Sequence, residues 1–369
     1  MRVTFFFPEP SLCEYSDAVI DTDERLAEFL PALQTATWVA LDTEADSLHA
    51  YPEKLCLIQI STDAGDRLVD PLAGFNLTPL LAALAPHELI MHGADYDLRL
   101  LRKHHEFVPG AIFDTMLAAR LLGHRQFGLS HLVEQHLGVK LEKGAQKADW
   151  ARRPLTERME SYARNDTHYL KPLSDKLKLE LQQKDRLAWQ QESCARLIDD
   201  STRLRPADLD SVWRVKGSHA LSRPALAILR DLWQWRENEA IAANRPPFFI
   251  LSHETLVGIA AAVAAHRPVE PLLPRRFSPR RQAGLAEAVK SALELSADKY
   301  PEILLHKSRR PTAAEHHRFL DLEKRRDARA ASLGIDATLI ASRATLGDLA
   351  RNWDAHAAEL MNWQRELLK

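Results

Sequence analysis

No stretch of this chain is apolar for long enough to span a bilayer. The opening Met1-Arg2-Val3-Thr4-Phe5-Phe6-Phe7-Pro8 holds too short an apolar run for a signal peptide and lacks a small-residue cleavage site. Cysteine is scarce: Cys13, Cys56 and Cys194 are odd in number and have no Cys-x-x-Cys spacing. That excludes a disulfide framework and a cysteine-based zinc site, and predicts buried free thiols in a cytoplasmic protein. Net charge is also small, −2. Bulk electrostatics therefore announces neither nucleic acid nor an acidic membrane surface.

The near-zero total conceals an uneven distribution. Residues 1–200 carry 22 Lys+Arg against 31 Asp+Glu, residues 201–330 carry 23 against 15, and the last 39 carry 4 against 5. An acidic first part beside a basic second part suits a metal-binding domain followed by a module that meets phosphates, although segregated surface charge gives the same totals. A length of 369 residues suits two or three domains.

The first part alternates strand and helix signals. Asp21 to Gln34 reads as a helix with Asp21 and Glu24 in capping-box spacing. Strands are expected at 38–41, 55–61, 67–70 and 88–91, and helical periodicity at 95–103, 115–122, 129–137 and 156–187. This order argues for a mixed sheet flanked by helices. Beyond Asp199 the chain reads as helices only. A diverged repeat lies within it: sliding residues 229–260 by 90 positions gives nine identities, among them Arg236 with Arg326 and Ser252 with Ser342.

Three short blocks carry the chemistry. Asp42-Thr43-Glu44 ends a strand, where residues i and i+2 share a face, so both carboxylates aim at one spot. An acidic turn after an edge strand would look the same. His92-Gly93-Ala94-Asp95-Tyr96-Asp97 opens a helix; Asp95 suits its cap, and Asp97 its first turn, where the dipole favours an acid in any case. Tyr162 and Asp166 lie four apart on one helical face, with Tyr169 on the same stripe; simple packing explains that too. His92 either lines the site or makes a packing hydrogen bond. Trp213, Trp233 and Trp235 at helical spacing are expected to fill a small core.

Taken jointly, Asp-x-Glu, the junction aspartate and Tyr-x-x-x-Asp resemble the ribonuclease D family of DEDDy-type 3′→5′ exonucleases. Phe113-Asp114-Thr115, Trp150 to Thr156 and Tyr162 to Leu170 extend the resemblance, and the tail is similar to HRDC domains. The likeness is closest over 36–186, looser over 205–295 and loosest over 300–369. It implies an α/β ribonuclease H-like exonuclease domain with a mixed sheet (1–200), an HRDC domain (205–295) and a second, diverged HRDC-like helical domain (300–369).

The resemblance also assigns roles. Two divalent ions, Mg²⁺ or Mn²⁺, would be held by Asp42, Glu44, Asp97 and Asp166, with Asp42 bridging. Glu44 and Asp166 would serve the ion that activates water, and Asp97 the one at the leaving oxygen. Tyr162, not Tyr169, would orient the water. The implied activity is 3′→5′ exoribonuclease action that releases 5′-mononucleotides from structured RNA such as tRNA precursors. A DNA exonuclease and a non-catalytic RNA-binding scaffold are the alternatives. Neither a membrane nor a protein partner is expected. Arg275, Arg276, Arg280 and Arg281, around Phe277, form the candidate nucleic-acid contact of the tail. Removal of 205–369 is expected to weaken RNA binding yet leave turnover on short oligomers.

Overall fold

A computed structural model describes residues 19–142, 144–203, 208, 210–304 and 309–369. Cys13 and the Met1–Pro8 segment lie outside the described residues. No helix among them is long and apolar enough to cross a membrane. The chain divides into two compact units. One takes the chain up to Ala45, then Leu55–Arg203 and Arg310–Lys369. The other takes Asp46–Lys54 and the described residues of 204–309.

The first unit is built on six strands: β1 (Val19–Ile20), β2 (Val39–Ala45), β3 (Leu55–Thr62), β4 (Gly65–Val69), β5 (Glu88–Met91) and β6 (Ala111–Asp114). Their order is β1-β4-β3-β2-β5-β6; β2, β3 and β4 run antiparallel to their neighbours among themselves, while β1–β4, β2–β5 and β5–β6 pair in parallel. The mixed sheet expected from the sequence is thus present. All eight residues of β3 are buried, as its unbroken apolar reading predicts for a central strand.

Alternation along the strands sorts residues between two faces. Leu41, Ile58, Ile60 and Val69 join one cluster with Leu26, Phe29 and Leu33 of α1 (Asp23–Thr35) and with Leu98 and Leu101 of α3 (Asp95–His105). Between them, α2 (Thr78–Leu84) adds Leu80, Leu81 and Leu84. The opposite face is covered by α6 (Glu157–His168) and α7 (Leu170–Gln183), with α4 (Thr115–Leu122) and α5 (Leu129–Leu137) packed on α7, while α8 (Leu187–Thr202) lies against β6 and α3 and adds Cys194 to the first cluster. Three sequence expectations need correction. The cap of α1 is Thr22, whose hydroxyl accepts from Arg25 N, while Asp21 pairs with the Arg25 guanidinium. Ala94, not Asp95, is the N-cap of α3; Asp95 pairs with Arg99 at 2.7 Å. The single helix read over 156–187 breaks at Tyr169 and again before Leu187.

The repeat is a repeat of structure. Helices α9 (Arg223–Ala243), α10 (Pro247–Ile250) and α11 (His253–Ala264) are matched by α13 (Ala313–Leu333), α14 (Ala337–Ile340) and α15 (Arg343–Arg351). In each copy a buried arginine reaches the same carbonyl: Arg236 Nη1 donates to Leu251 O at 3.3 Å, and Arg326 Nη1 to Ala341 O at 3.1 Å. The first copy, with α12 (Pro279–Leu293), has its own core around Trp213, Leu229 and Leu256, against which Trp233 and Trp235 pack. Tyr51 belongs to that unit and hydrogen-bonds Glu237.

The second copy belongs to the unit that holds the sheet. Leu322, Ile340, Leu346 and, from the helix Asn362–Leu368, Trp363 share one apolar cluster with Phe113, Leu132, Leu173 and Leu177. Trp363 stacks on Trp189 with ring centroids 5.0 Å apart. Arg186, 6% exposed, donates to Leu121 O and Leu333 O, each at 2.7 Å, and so ties the C-terminal ends of α4 and α13. Gly123 (φ +93°) sits where a Cβ would lie 2.1 Å from the Gly334 carbonyl oxygen, so only glycine admits this approach.

Candidate active site

Register on β2 puts Asp42 and Glu44 on the face covered by α6. Helix α6 starts at Thr156, whose hydroxyl accepts from Met159 N, and it packs Ala163 and Thr167 inward. Its position over the sheet is pinned by one polar cluster. Ser61 Oγ lies 2.7 Å from Thr167 Oγ1 and 2.6 Å from Asp66 Oδ1, and His168 Nδ1 lies 2.8 Å from Asp66 Oδ2. This clamp delivers Asp166: one carboxylate oxygen each from Asp42, Glu44 and Asp166 lie within 4.8 Å of one another.

Asp97 approaches from α3. It is buried and accepts a hydrogen bond from Thr43 Oγ1, the hydroxyl on the other side of β2. The start of α3 is held by Asp114, whose Oδ2 accepts from Ala94 N at 2.8 Å while its Oδ1 caps α4 through Leu117 N. Tyr162 lies beside Asp166, within reach of its carboxylate, with its ring 6.0 Å from that of Trp150. His92 lines the cavity and bonds Thr115 Oγ1 through Nδ1, so both readings of it hold. Tyr169 sits at the α6–α7 junction, edge-on to His168.

These residues surround a cavity of about 570 Å³ whose lining contains Asp42, Glu44, Asp97, Glu142 and Asp166 and, among the described residues, no lysine or arginine. The electrostatic cost is visible in Asp42, Glu44, Asp97 and Asp166. Burial, then Asp97, Asp166 and Glu44, push Asp42 well above the usual carboxylate range. Burial, then Asp166 and Asp97, push Glu44 up to about 9. Burial raises Asp166 to about 7 and Asp97 to about 6. Burial and the surrounding carboxylates also raise Tyr162, which stays a protonated donor at neutral pH. Such a set must take up protons or cations. All its donors are hard oxygens, the chemistry that suits divalent ions such as Mg²⁺ and Mn²⁺.

A stability profile follows from the same shifts. Unfolded, these acids titrate near 4; folded, Glu44 holds its proton to about 9. Across that window the native state binds more protons, so stability falls as pH rises. In EDTA the melting temperature is expected to decline between about pH 6 and about pH 9, and Mn²⁺ to flatten the decline. A flat or rising profile in EDTA would contradict the burial of these charges.

The four tail arginines lie in the second unit. Arg280 makes two bonds to Glu239, at 2.6 and 2.7 Å, and Arg281 a third at 3.4 Å. Phe277 is buried, edge-on to Trp235; Arg275 and Arg276 are exposed in a turn. Sequence reasoning missed Thr43 and Asp114 as site supports. Asp114 could have been found as a cap before α4. Asp66 and Ser61 carry no local signal, because strand pairing and α6 alone bring them together.

The model of the 3′-5′ exonuclease family matches residues 18–182, and that of the HRDC domain residues 225–266. Ribonuclease D of Zymomonas mobilis is 37% identical over 247 residues, 66% of this chain and 63% of that protein, so the match spans under two thirds of that relative. Ribonuclease D of a Jannaschia species is 30% identical over 346 residues, covering 90% of this chain and 88% of the relative. Among solved structures, Escherichia coli RNase D, described as an exoribonuclease involved in structured RNA processing, superposes with a TM-score of 0.74 at 25% identity over 95% of this chain and 97% of its own.

Proposed function

The chain belongs to the ribonuclease D family, and on that premise we propose that it is a divalent-cation-dependent 3′→5′ exoribonuclease. It would release 5′-mononucleotides and trim structured RNA, tRNA precursors included. One observation carries the reading: Asp42, Glu44 and Asp166 converge within 4.8 Å in a cavity that Asp97 and Tyr162 also line. A phosphodiester is an anion, and these carboxylates, when charged, would repel it. Asp42, Glu44, Asp97 and Asp166 would hold two ions, which when bound neutralise the phosphate and acidify water.

The protein's own groups do the rest. Thr43 fixes the rotamer of Asp97, and the Asp66 clamp fixes α6 and hence Asp166. Tyr162, a protonated donor beside Asp166, orients water rather than deprotonating it. Tyr162→Phe is accordingly expected to lower turnover on the order of 10²-fold with RNA affinity nearly unchanged, the pattern of a contact made in the transition state. Tyr169→Phe should be mild, since Tyr169 does not line the cavity; the reverse ranking would mean that the wrong tyrosine has been assigned.

The direct test uses 3′- and 5′-labelled RNA and matched DNA with Mg²⁺, Mn²⁺ or EDTA. Stepwise shortening of RNA from its 3′ end, abolished by EDTA, is the expected result. Equal rates on DNA would remove the ribose preference. RNA binding without cleavage under any metal would leave a scaffold.

A further inference from the structure

The middle of β3 carries a side chain that weakens the fold. Gln59 is fully buried, and neither its amide nitrogen nor its amide oxygen has a hydrogen-bond partner among the described residues. A buried amide with both groups unpaired is destabilising at each of them, whereas an apolar side chain of that size would incur no such cost.

Its location is specific. Gln59 is the ladder partner of Asp42 on one side and of Leu68 on the other. Antiparallel partners project to the same face with Cβ atoms about 4.5–5.5 Å apart. Two residues along the strand, Ser61 contacts Thr167; two residues back, Leu57 packs in one cluster with Ala163 and Tyr162. The Gln59 side chain therefore lies beneath the stretch of α6 that carries Asp166, beside the carboxylate with the most acidic neighbours. A charged carboxylate offers about four acceptor sites, and metal coordination uses only some of them. The groups that bond the rest set a ligand's orientation and basicity.

Resting on the cation-site reading above, we infer that Gln59 is a positioning residue: its amide N–H donates to the charged, cation-binding form of Asp42 and holds that carboxylate in place. The unpaired amide is then a standing cost in the metal-free protein, recovered on cation binding. Leucine or methionine at this position removes both the cost and the donor, so stability and cation affinity should move in opposite directions. A purely structural residue cannot produce that split.

The experiment compares full-length wild type, Gln59→Leu and Gln59→Met. Melting is followed in EDTA, and Mn²⁺ binding by calorimetry without RNA. The expected result is melting at or above wild type in EDTA, with Mn²⁺ binding about tenfold weaker, the lower end of the loss seen when a ligand's hydrogen-bond partner is removed. Wild-type Mn²⁺ affinity in either folded variant overturns the inference. So does failure of both variants to fold, because the amide would then serve the fold. If the wild type neither binds Mn²⁺ nor cleaves RNA, the functional reading itself has failed. If the wild type does both and the variants match it, only the role of Gln59 is lost.

Discussion

Asp42→Asn and Asp166→Asn are each expected to reduce RNA hydrolysis by at least about 10³-fold, the size of effect that accompanies loss of a preorganised electrostatic stabiliser. Asparagine keeps the shape of aspartate, so the change is one of charge. Asp42 is the most constrained of the four acids, since Asp97, Asp166 and Glu44 all press on it. Asp166 arrives on a helix fixed by Ser61, Asp66 and His168. Its backbone should stay in place after substitution. Removing one of several repelling charges should also leave melting in EDTA unchanged or raised. The check is end-labelled RNA with purified variants, alongside melting curves. A folded variant with near-normal turnover would falsify the assignment of these carboxylates.

Deleting residues 310–369 should cost the first unit its fold. The sequence suggested the opposite, that the whole tail is dispensable for turnover. Its basic charge and helical periodicity mark it as a separate module, and nothing local says which surface that module covers. In the structure Leu322, Ile340, Leu346 and Trp363 complete the apolar layer over Leu173 and Leu177. Each large apolar side chain so exposed forfeits about 1.5–3 kcal/mol, against a total stability of roughly 5–15 kcal/mol. Arg186 would also lose its bond to Leu333 O. The truncated chain is expected to aggregate or to melt at least about 10 °C lower. A melting curve and a sizing column decide it; wild-type melting after truncation would mean that the shared layer is not needed.

The sequence revealed elements where period and punctuation agree. Strand β5 and helices α4 and α5 stand where periodicity puts them, with glycines closing both helices. Two-residue β1 is too short to show a period, and β6 offers only the apolar pair Ile112 and Phe113 before Asp114. The break at Tyr169 was hidden because α6 and α7 keep an apolar stripe on both sides of it. Asp42 and Glu44 were legible because alternation alone aims them together. Asp97 was distinguishable from Asp95 only through the family resemblance. What the chain could not reveal locally were supports that cross it: Asp114 holding α3 from twenty residues away, and Asp66 holding α6 from across the sheet.

The duplicated helical module has divided into copies with unequal evolutionary freedom. The first has internal ties of its own, around Arg236, Glu237 and Tyr51. The second is locked to its neighbours through Arg186, the Gly123–Gly334 approach and Glu192, which accepts from Asn362 N. A substitution on its inner face must be matched by one in α4, α7 or α8, more than a hundred residues earlier. Correlated change between those stretches is the signature that such a history would leave in related sequences.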